Sequence, residues 1–299
     1  MTESTTPAWQ ALGLLVAPVV AGALVMRLGG APSGMWAAHL ATGAVGMLLY
    51  AATTRAPRLS LGAASFLAVT GAFALAVTLA APGLQGVHRW LELPGLRLNA
   101  SQLVMPALLV FAATNLRGAP TLAQVQLLVV QGIHLLQPDA GQATAVAVAA
   151  LVLLRSGPRT RASRASAAVL LAAAVATWMR ADPLQPVPFV EDITSRALAL
   201  HWTLGCLGLA AIAGAALAPI VSVPQGATSD ATLAGRVVTT YFATAAVVVA
   251  FGAFPVPLLG FGASSIVGAS LALAAVRRAV LHGLPREGAG LAGLARGSD

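Results

Sequence analysis

Two adjacent carboxylates, Glu191 and Asp192, are the strongest candidates for acid–base chemistry in this sequence. Because neighbouring carboxylates repel each other, the pKa of one of them is expected to rise, and that group would serve better as a general base. Arginines are the candidate ligands for a diphosphate, a role that a bound divalent cation could also fill: Arg89, Arg97 and Arg196. The alternative is that both acids are solvated loop residues beside neighbouring arginines.

Asp139 is a third candidate, because it follows Pro138 between two apolar segments. A carboxylate at this position can accept hydrogen bonds from the first amides of the next helix. A role as a ligand for substrate or a cation is the alternative.

The composition identifies the elements that must position these side chains. Apolar residues make up 58% of the 299 residues, charged residues only 9%, and mean hydropathy is +0.84. Soluble domains carry about 25% charged residues, so too few polar groups are present to cover a surface in water. A bilayer removes that requirement. The sequence therefore predicts an all-α integral membrane protein, with a single transmembrane domain spanning residues 1–299.

The lengths of the apolar runs predict about ten transmembrane helices. A helix needs about 20 apolar residues to cross the hydrocarbon core. The runs that meet or approach this length lie roughly at 9–27, 35–53, 61–81, 100–116, 121–136, 140–156, 165–180, 196–220, 234–253 and 261–281. The fifth and sixth are the shortest, and the proline between them predicts two helices rather than one.

The arginines predict the orientation of these helices. All 17 basic side chains are arginine, and with a cytoplasmic N-terminus about twelve of them fall on the cytoplasmic side and five on the outer side. This places the N-terminal residues 1–8 and the C-terminal tail 282–299 in the cytoplasm, and the Glu191 loop outside. The basic residues form no continuous face with interleaved aromatics, which excludes nucleic-acid binding as the reason for the charge of +8.

Three segments on the predicted outer side carry recognisable patterns. Residues 86–102 read GVHRWLELPGLRLNASQ, residues 137–141 read QPDAG, and residues 254–265 read FPVPLLGFGASS. In this order they resemble the "GxRRWIxLGxFxxQPSE", "QPDLGT" and "LPLPFxSYGGSS" motifs of the SEDS family (shape, elongation, division and sporulation). Together the three matches cover about 35 residues, and the ten-helix plan extends the similarity over the chain.

The resemblance implies a SEDS-like bundle in the bacterial cytoplasmic membrane. The implied activity is that of a peptidoglycan glycosyltransferase, in cell division or cell-shape control, which polymerises lipid II, an undecaprenyl-diphosphate-linked disaccharide, at the outer face. The implied partners are a class B penicillin-binding protein and membrane lipids, and the implied cofactor is a divalent cation, Mg²⁺ or Mn²⁺.

The resemblance also implies a set of site residues. The family's essential acid falls on Glu191, or on Asp192 if the alignment slips by one residue. The implied substrate-binding residues are Arg89, Trp90, Arg97, Ser101, Gln102, Asp139, Ser264 and Ser265.

Departures from the family pattern keep other functions open. The family's "SExxK" is Ser101-Gln102-Leu103-Val104-Met105 here, so both charged positions are lost together. The loop that carries Glu191 is also shorter than in the family. These departures favour a catalytically inactive relative that scaffolds a penicillin-binding protein or a division complex. A transporter or flippase for a lipid-linked sugar is the third hypothesis.

Overall fold

The protein is a bundle of helices with one small β-hairpin. The computed structural model describes residues 6–57, 61–180 and 182–283. The predicted cytoplasmic tail 282–299, with Arg286 and Arg296, lies almost entirely outside the described residues, as do Arg58 and the first five residues. The α-helices of the described part are α1 (Thr6–Leu28), α2 (Ser33–Arg55), α3 (Leu61–Val77), α4 (Ala100–Asn115), α5 (Pro120–Leu136), α6 (Ala140–Ser156), α7 (Arg161–Trp178), α8 (Ile193–Leu200), α9 (Trp202–Val221), α10 (Ser229–Val248) and α11 (Ala263–Gly283).

Ten of these helices match the ten predicted spans, which confirms the prediction of an all-α, multi-pass membrane protein. On length and composition, six stretches in the described part can each cross a bilayer: Ala8–Leu28, Ser33–Arg55, Gly62–Ala80, Trp202–Val221, Ser229–Phe251 and Ala263–Leu281. Helices α4, α5 and α6 are apolar but shorter, at 16 or 17 residues.

Polar residues at helix starts set several of the boundaries. The side chains of Asn99, Asp139, Thr160 and Thr228 each accept a hydrogen bond from a backbone amide of the first turn that follows. The Asp139 cap confirms the predicted break between α5 and α6. These caps satisfy amides that have no partner within the helix.

The predicted eighth span, 196–220, is wrong at its start. The chain forms the short helix α8, then leaves helical geometry at His201, and then begins α9 at Trp202. The backbone of His201 is extended, and its Nδ1 accepts a hydrogen bond from the amide of Thr203 at 3.3 Å. His201 is a single histidine between apolar residues, which does not by itself predict a break, so composition alone gave no sign of one.

The β-hairpin lies in a stretch where no regular element was predicted. Strand β1 (Trp90–Leu93) pairs antiparallel with β2 (Leu96–Asn99). Pro94 and Gly95 form the turn, and Gly95 has φ +72, a conformation that glycine adopts without strain. The Pro-Gly pair between two apolar runs is the signal that would have predicted this hairpin.

The core lies around α10, which packs against α4, α6, α9 and α11. Helix α11 also packs closely on α4, where a Cβ on Gly268 would overlap the main-chain oxygens of Gln102 and Leu103. The carbonyl of Gln102 has no amide partner one turn later because residue 106 is proline. Helix α11 therefore approaches α4 at a carbonyl that the helix itself does not use.

Candidate functional site

Arg89 joins three loops at one end of the bundle. The side chain is 2% exposed. Its Nη2 donates to the carbonyl of Pro138 at 2.6 Å and to Oδ2 of Asp182 at 2.5 Å, and its Nε lies 3.6 Å from Oδ2 of Asp139. The guanidinium carbon also lies 5.7 Å from the ring centroid of Phe254. Nη1 makes no hydrogen bond within the described part of the chain.

Asp139 faces a small polar cleft beside Arg89. Its Oδ1 accepts the amide of Gln142 at 3.2 Å, whereas its Oδ2 is buried and has no hydrogen-bond partner. The side chain of Gln142 in turn accepts the hydroxyl of Tyr241 at 2.5 Å, which connects α6 to α10. The cleft is lined by residues from four segments, among them Asn99, Gln102, Asp139, Gln142, Phe254 and Pro257.

Glu191 lies half-buried in the loop before α8, with one short hydrogen bond. Its Oε2 accepts the amide of Val187 at 2.8 Å. Burial raises the pKa of Glu191, while backbone hydrogen bonds from Val187 and its own amide, together with the charge of Arg89, oppose that rise in part. A half-buried carboxylate with a raised pKa suits a general base.

Asp192, by contrast, uses both of its oxygens within the loop. Oδ1 accepts the amide of Phe189 at 2.7 Å, and Oδ2 accepts Nε of Arg196 at 2.6 Å. Arg196 also lies 4.7 Å from the ring centroid of Phe189, whose φ of +63 is unusual for a residue with a side chain. Asp192 therefore fixes the shape of the loop, and Glu191 is the freer of the two carboxylates.

An apolar groove leads away from Glu191. The cavity has a volume of about 680 Å³ and is lined by α8, α9 and α10. Glu191, Thr194 and Ser195 are its polar lining residues, and the remainder are aliphatic, including Leu198, Ile212, Leu217 and Val247. The volume lies within the range of small-molecule sites, and the lining suits a hydrocarbon chain with a polar head near Glu191.

The comparison with solved structures identifies the fold. RodA, the rod shape determining protein of Thermus thermophilus, superposes in a mutant form with a TM-score of 0.68, at 21% identity, covering 93% of this chain and 98% of that one. The unmutated RodA superposes with a TM-score of 0.65, at 21% identity, covering 93% and 97%. The chain has the RodA fold. The SEDS-like bundle predicted from the sequence motifs is thereby confirmed. No family model and no curated protein sequence matches the chain.

Within this RodA fold, the predicted site residues divide into two groups. Those at the cluster are Arg89, Asp139 and Gln102, which line or adjoin the polar cleft. Glu191 lines the apolar groove instead. Arg97 stands apart from them. Its side chain is 60% exposed, and its Nε lies 3.3 Å from Oε1 of Glu92 across the hairpin.

The remaining predicted residues have structural contacts in the RodA fold. Trp90 begins the hairpin opposite Asn99 and is half-buried. Ser101 is buried, with its Oγ 3.0 Å from Nε2 of His134. Ser264 accepts the amide of Asn99 at 2.8 Å, which holds the hairpin against α11.

Ser265 closes the segment before α11, accepting the amide of Leu258 at 3.4 Å. Asp182 and Phe254 are contacts of Arg89 that sequence reasoning missed. Asp182 lies nine residues before Glu191 in the same predicted outer loop, so its position was a usable signal. No signal in the sequence indicated the loop conformation that brings Asp182 to Arg89.

The side chains do not support a resident divalent cation. In the described ranges no three or more His, Cys, Asp or Glu side chains converge on a site that protein ligands alone could form. Asp139, Asp182 and Asp192 each lie beside an arginine, whose charge opposes cation binding. In this cluster Arg89 supplies the positive charge.

Proposed function

We propose that this chain is a divergent SEDS-type peptidoglycan glycosyltransferase that polymerises lipid II, in cell division or cell-shape control. The observation that carries the proposal is the position of Glu191, a half-buried carboxylate that lines an apolar groove. A lipid-linked sugar needs both features, because its prenyl chain requires an apolar surface and its reacting head requires a base.

The reaction follows from these groups. Glu191 removes the proton from the acceptor sugar hydroxyl, and the oxygen attacks the anomeric carbon of the donor. The bond from that carbon to the diphosphate oxygen breaks, and undecaprenyl diphosphate leaves with the bonding electrons. Arg89 stabilises the negative charge on the leaving group through its field and its free Nη1. Asp182 and Asp139 hold the guanidinium in place.

We further propose a single transmembrane domain in the bacterial cytoplasmic membrane, with both termini in the cytoplasm and Glu191 outside. The charges of the described residues support this orientation. The end of the bundle that carries Glu191 has five arginines and five carboxylates, whereas the other end has nine arginines and one carboxylate, Asp230. Contacts between loops support a common end for these arginines: Arg117 pairs with Asp230, Gly157 packs against Leu116, and Arg278 donates to the end of α2. Such an excess is typical of the cytoplasmic side.

A catalytically inactive scaffold for a class B penicillin-binding protein is the second candidate function. The observation that favours it is the neutral character of the positions that carry "SExxK" in the SEDS family. Gln102 and Met105 are both buried, and Met105 lies in the apolar core. If an ion pair there is required for catalysis, only the partner-binding role would remain.

The decisive experiment measures glycan polymer from labelled lipid II, with the purified chain reconstituted alone and with its penicillin-binding partner. We expect polymer from the wild type and none from Glu191→Gln. Asp192→Asn should retain partial activity, because it alters loop shape without removing the base. Arg97→Gln is the control, because Arg97 makes only an exposed contact.

The other outcomes separate the alternatives. A wild type that forms no polymer but binds the penicillin-binding protein stably would favour the scaffold. Lipid II that crosses a liposome membrane without polymerising would favour a transporter. Polymer formation unaffected by Glu191→Gln would remove the proposed base.

A further inference from the structure

The turn between α6 and α7 carries a dense group of arginines that the proposed chemistry does not use. Within residues 155–164, here named the basic turn, four arginines are exposed: Arg155, Arg159, Arg161 and Arg164. The ion pairs found in the described ranges all involve other arginines. These four positive charges therefore have no carboxylate partner in the part of the chain that the structure describes.

The backbone of the basic turn is held in one shape by its own hydroxyl groups. Thr160 accepts the amide of Ser163 at 3.0 Å, and the hydroxyl of Ser163 donates to the carbonyl of Pro158 at 2.8 Å. Gln124 of α5 donates to the same Ser163 hydroxyl at 3.3 Å. Since both hydroxyls are engaged internally, the guanidinium groups are the donors that remain for an external ligand.

The surroundings of the basic turn do not neutralise it. Gly157 packs against Leu116, next to Arg117, which pairs with Asp230 at 3.5 Å. Asp230 is the one carboxylate at this end among the described residues. Arg161 and Arg164 also lie in the first turn of α7, where the helix dipole disfavours positive charge. The arrangement is costly for the folded chain alone and favourable once anions bind.

We propose that the basic turn binds the phosphate groups of anionic phospholipids, of the phosphatidylglycerol or cardiolipin class, in the leaflet at this end of the bundle. The turn joins two membrane helices, so its arginines lie at the depth of lipid headgroups. Guanidinium groups bind phosphate with paired hydrogen bonds. Each arginine near an anionic surface contributes about a fivefold increase in affinity. This inference is independent of the proposed catalytic role of Glu191.

The test uses native mass spectrometry of the full-length protein in detergent, titrated with phosphatidylglycerol or with phosphatidylcholine. The variant is Arg159→Gln/Arg161→Gln/Arg164→Gln. The matched control is Arg55→Gln/Arg236→Gln/Arg277→Gln, which removes the same charge from the same end but outside the turn. We expect retained phosphatidylglycerol on the wild type and on the control, and a loss of up to about a hundredfold in the variant.

Further measurements separate a local lipid site from misfolding and from diffuse charge. Circular dichroism and size exclusion establish that both triple variants fold, and a variant with the three arginines changed to lysine should keep a preference for phosphatidylglycerol. Equal losses of phosphatidylglycerol binding in the variant and the control would overturn the proposal of a local site. They would show that the total positive charge at this end attracts the lipid. Equal retention of phosphatidylcholine, or displacement of the lipid by an excess of inorganic phosphate, would overturn the lipid assignment.

Discussion

Arg89 and Arg97 provide a direct test of how burial separates two residues that look equivalent in the sequence. Arg89→Met removes the partner of buried Asp139 and of Asp182, whose side chain is 25% exposed. Breaking a fully buried ion pair costs about 3–5 kcal/mol, because it leaves a charge without compensation. The partial exposure of Asp182 lowers this cost, so we expect Arg89→Met to reduce the free energy of unfolding by about 2–4 kcal/mol.

Arg97→Met removes only an exposed ion pair with Glu92. The free energy of unfolding should therefore fall by only about 0–1 kcal/mol. For a chain of this size the midpoint of thermal unfolding should fall by about 4–16 °C for Arg89→Met and by at most a few degrees for Arg97→Met. Circular dichroism of the helical signal in detergent measures both. Equal shifts for the two variants, or a larger shift for Arg97→Met, would refute the assignment of Arg89 as the buried junction of the three loops.

Further predictions concern Glu191, Arg278 and Gly268. If Glu191 is the base, the polymerisation rate should rise with pH through a raised pKa, above the ordinary value of 4.5, because only the ionised form accepts a proton; a pH–rate profile without this limb would exclude it. The same raised pKa means that the contribution of Glu191 to stability is greatest below pH 4.5 and is lost as pH rises through the folded-state value. Arg278→Met should lower the free energy of unfolding by about 2–3 kcal/mol more than Arg277→Met, because only Arg278 donates to carbonyls at the end of α2. Equal midpoints of thermal unfolding for the two variants would contradict this. Gly268→Ala should cost about 1–3 kcal/mol by overlap with α4, whereas Gly132→Ala meets nothing within 4 Å and should be neutral or stabilising in the same thermal assay.

The sequence predicted the parts of the fold that depend on solvation. Nine of the ten apolar runs became single helices and the eighth became two, because hydrocarbon favours a chain segment that satisfies its own backbone. The Asp139 cap was also predictable, since capping depends on a few neighbouring residues. The extended backbone at His201 could not be predicted, because its position is set by how α8 and α9 pack and not by composition.

The candidate site was only partly predictable for a related reason. Sequence placed Glu191, Asp192 and Arg97 in polar loops, but could not say which would be engaged. Asp192 is used by the loop itself, and Arg97 is held on the hairpin surface. Such differences arise from contacts between segments far apart in the chain, such as Arg89 with Asp182. A short motif in the sequence does not show which distant residue each of its side chains will contact.

The contact between Gly268 and the unused carbonyl of Gln102 links two positions that are far apart in the gene. A proline at 106 leaves that oxygen free, and a glycine at 268 allows the facing helix to reach it. A mutation that restores an amide at 106 would change the curvature of α4 and relax the demand for glycine at 268. Among descendants of this sequence, the two codons should therefore change together more often than either changes alone.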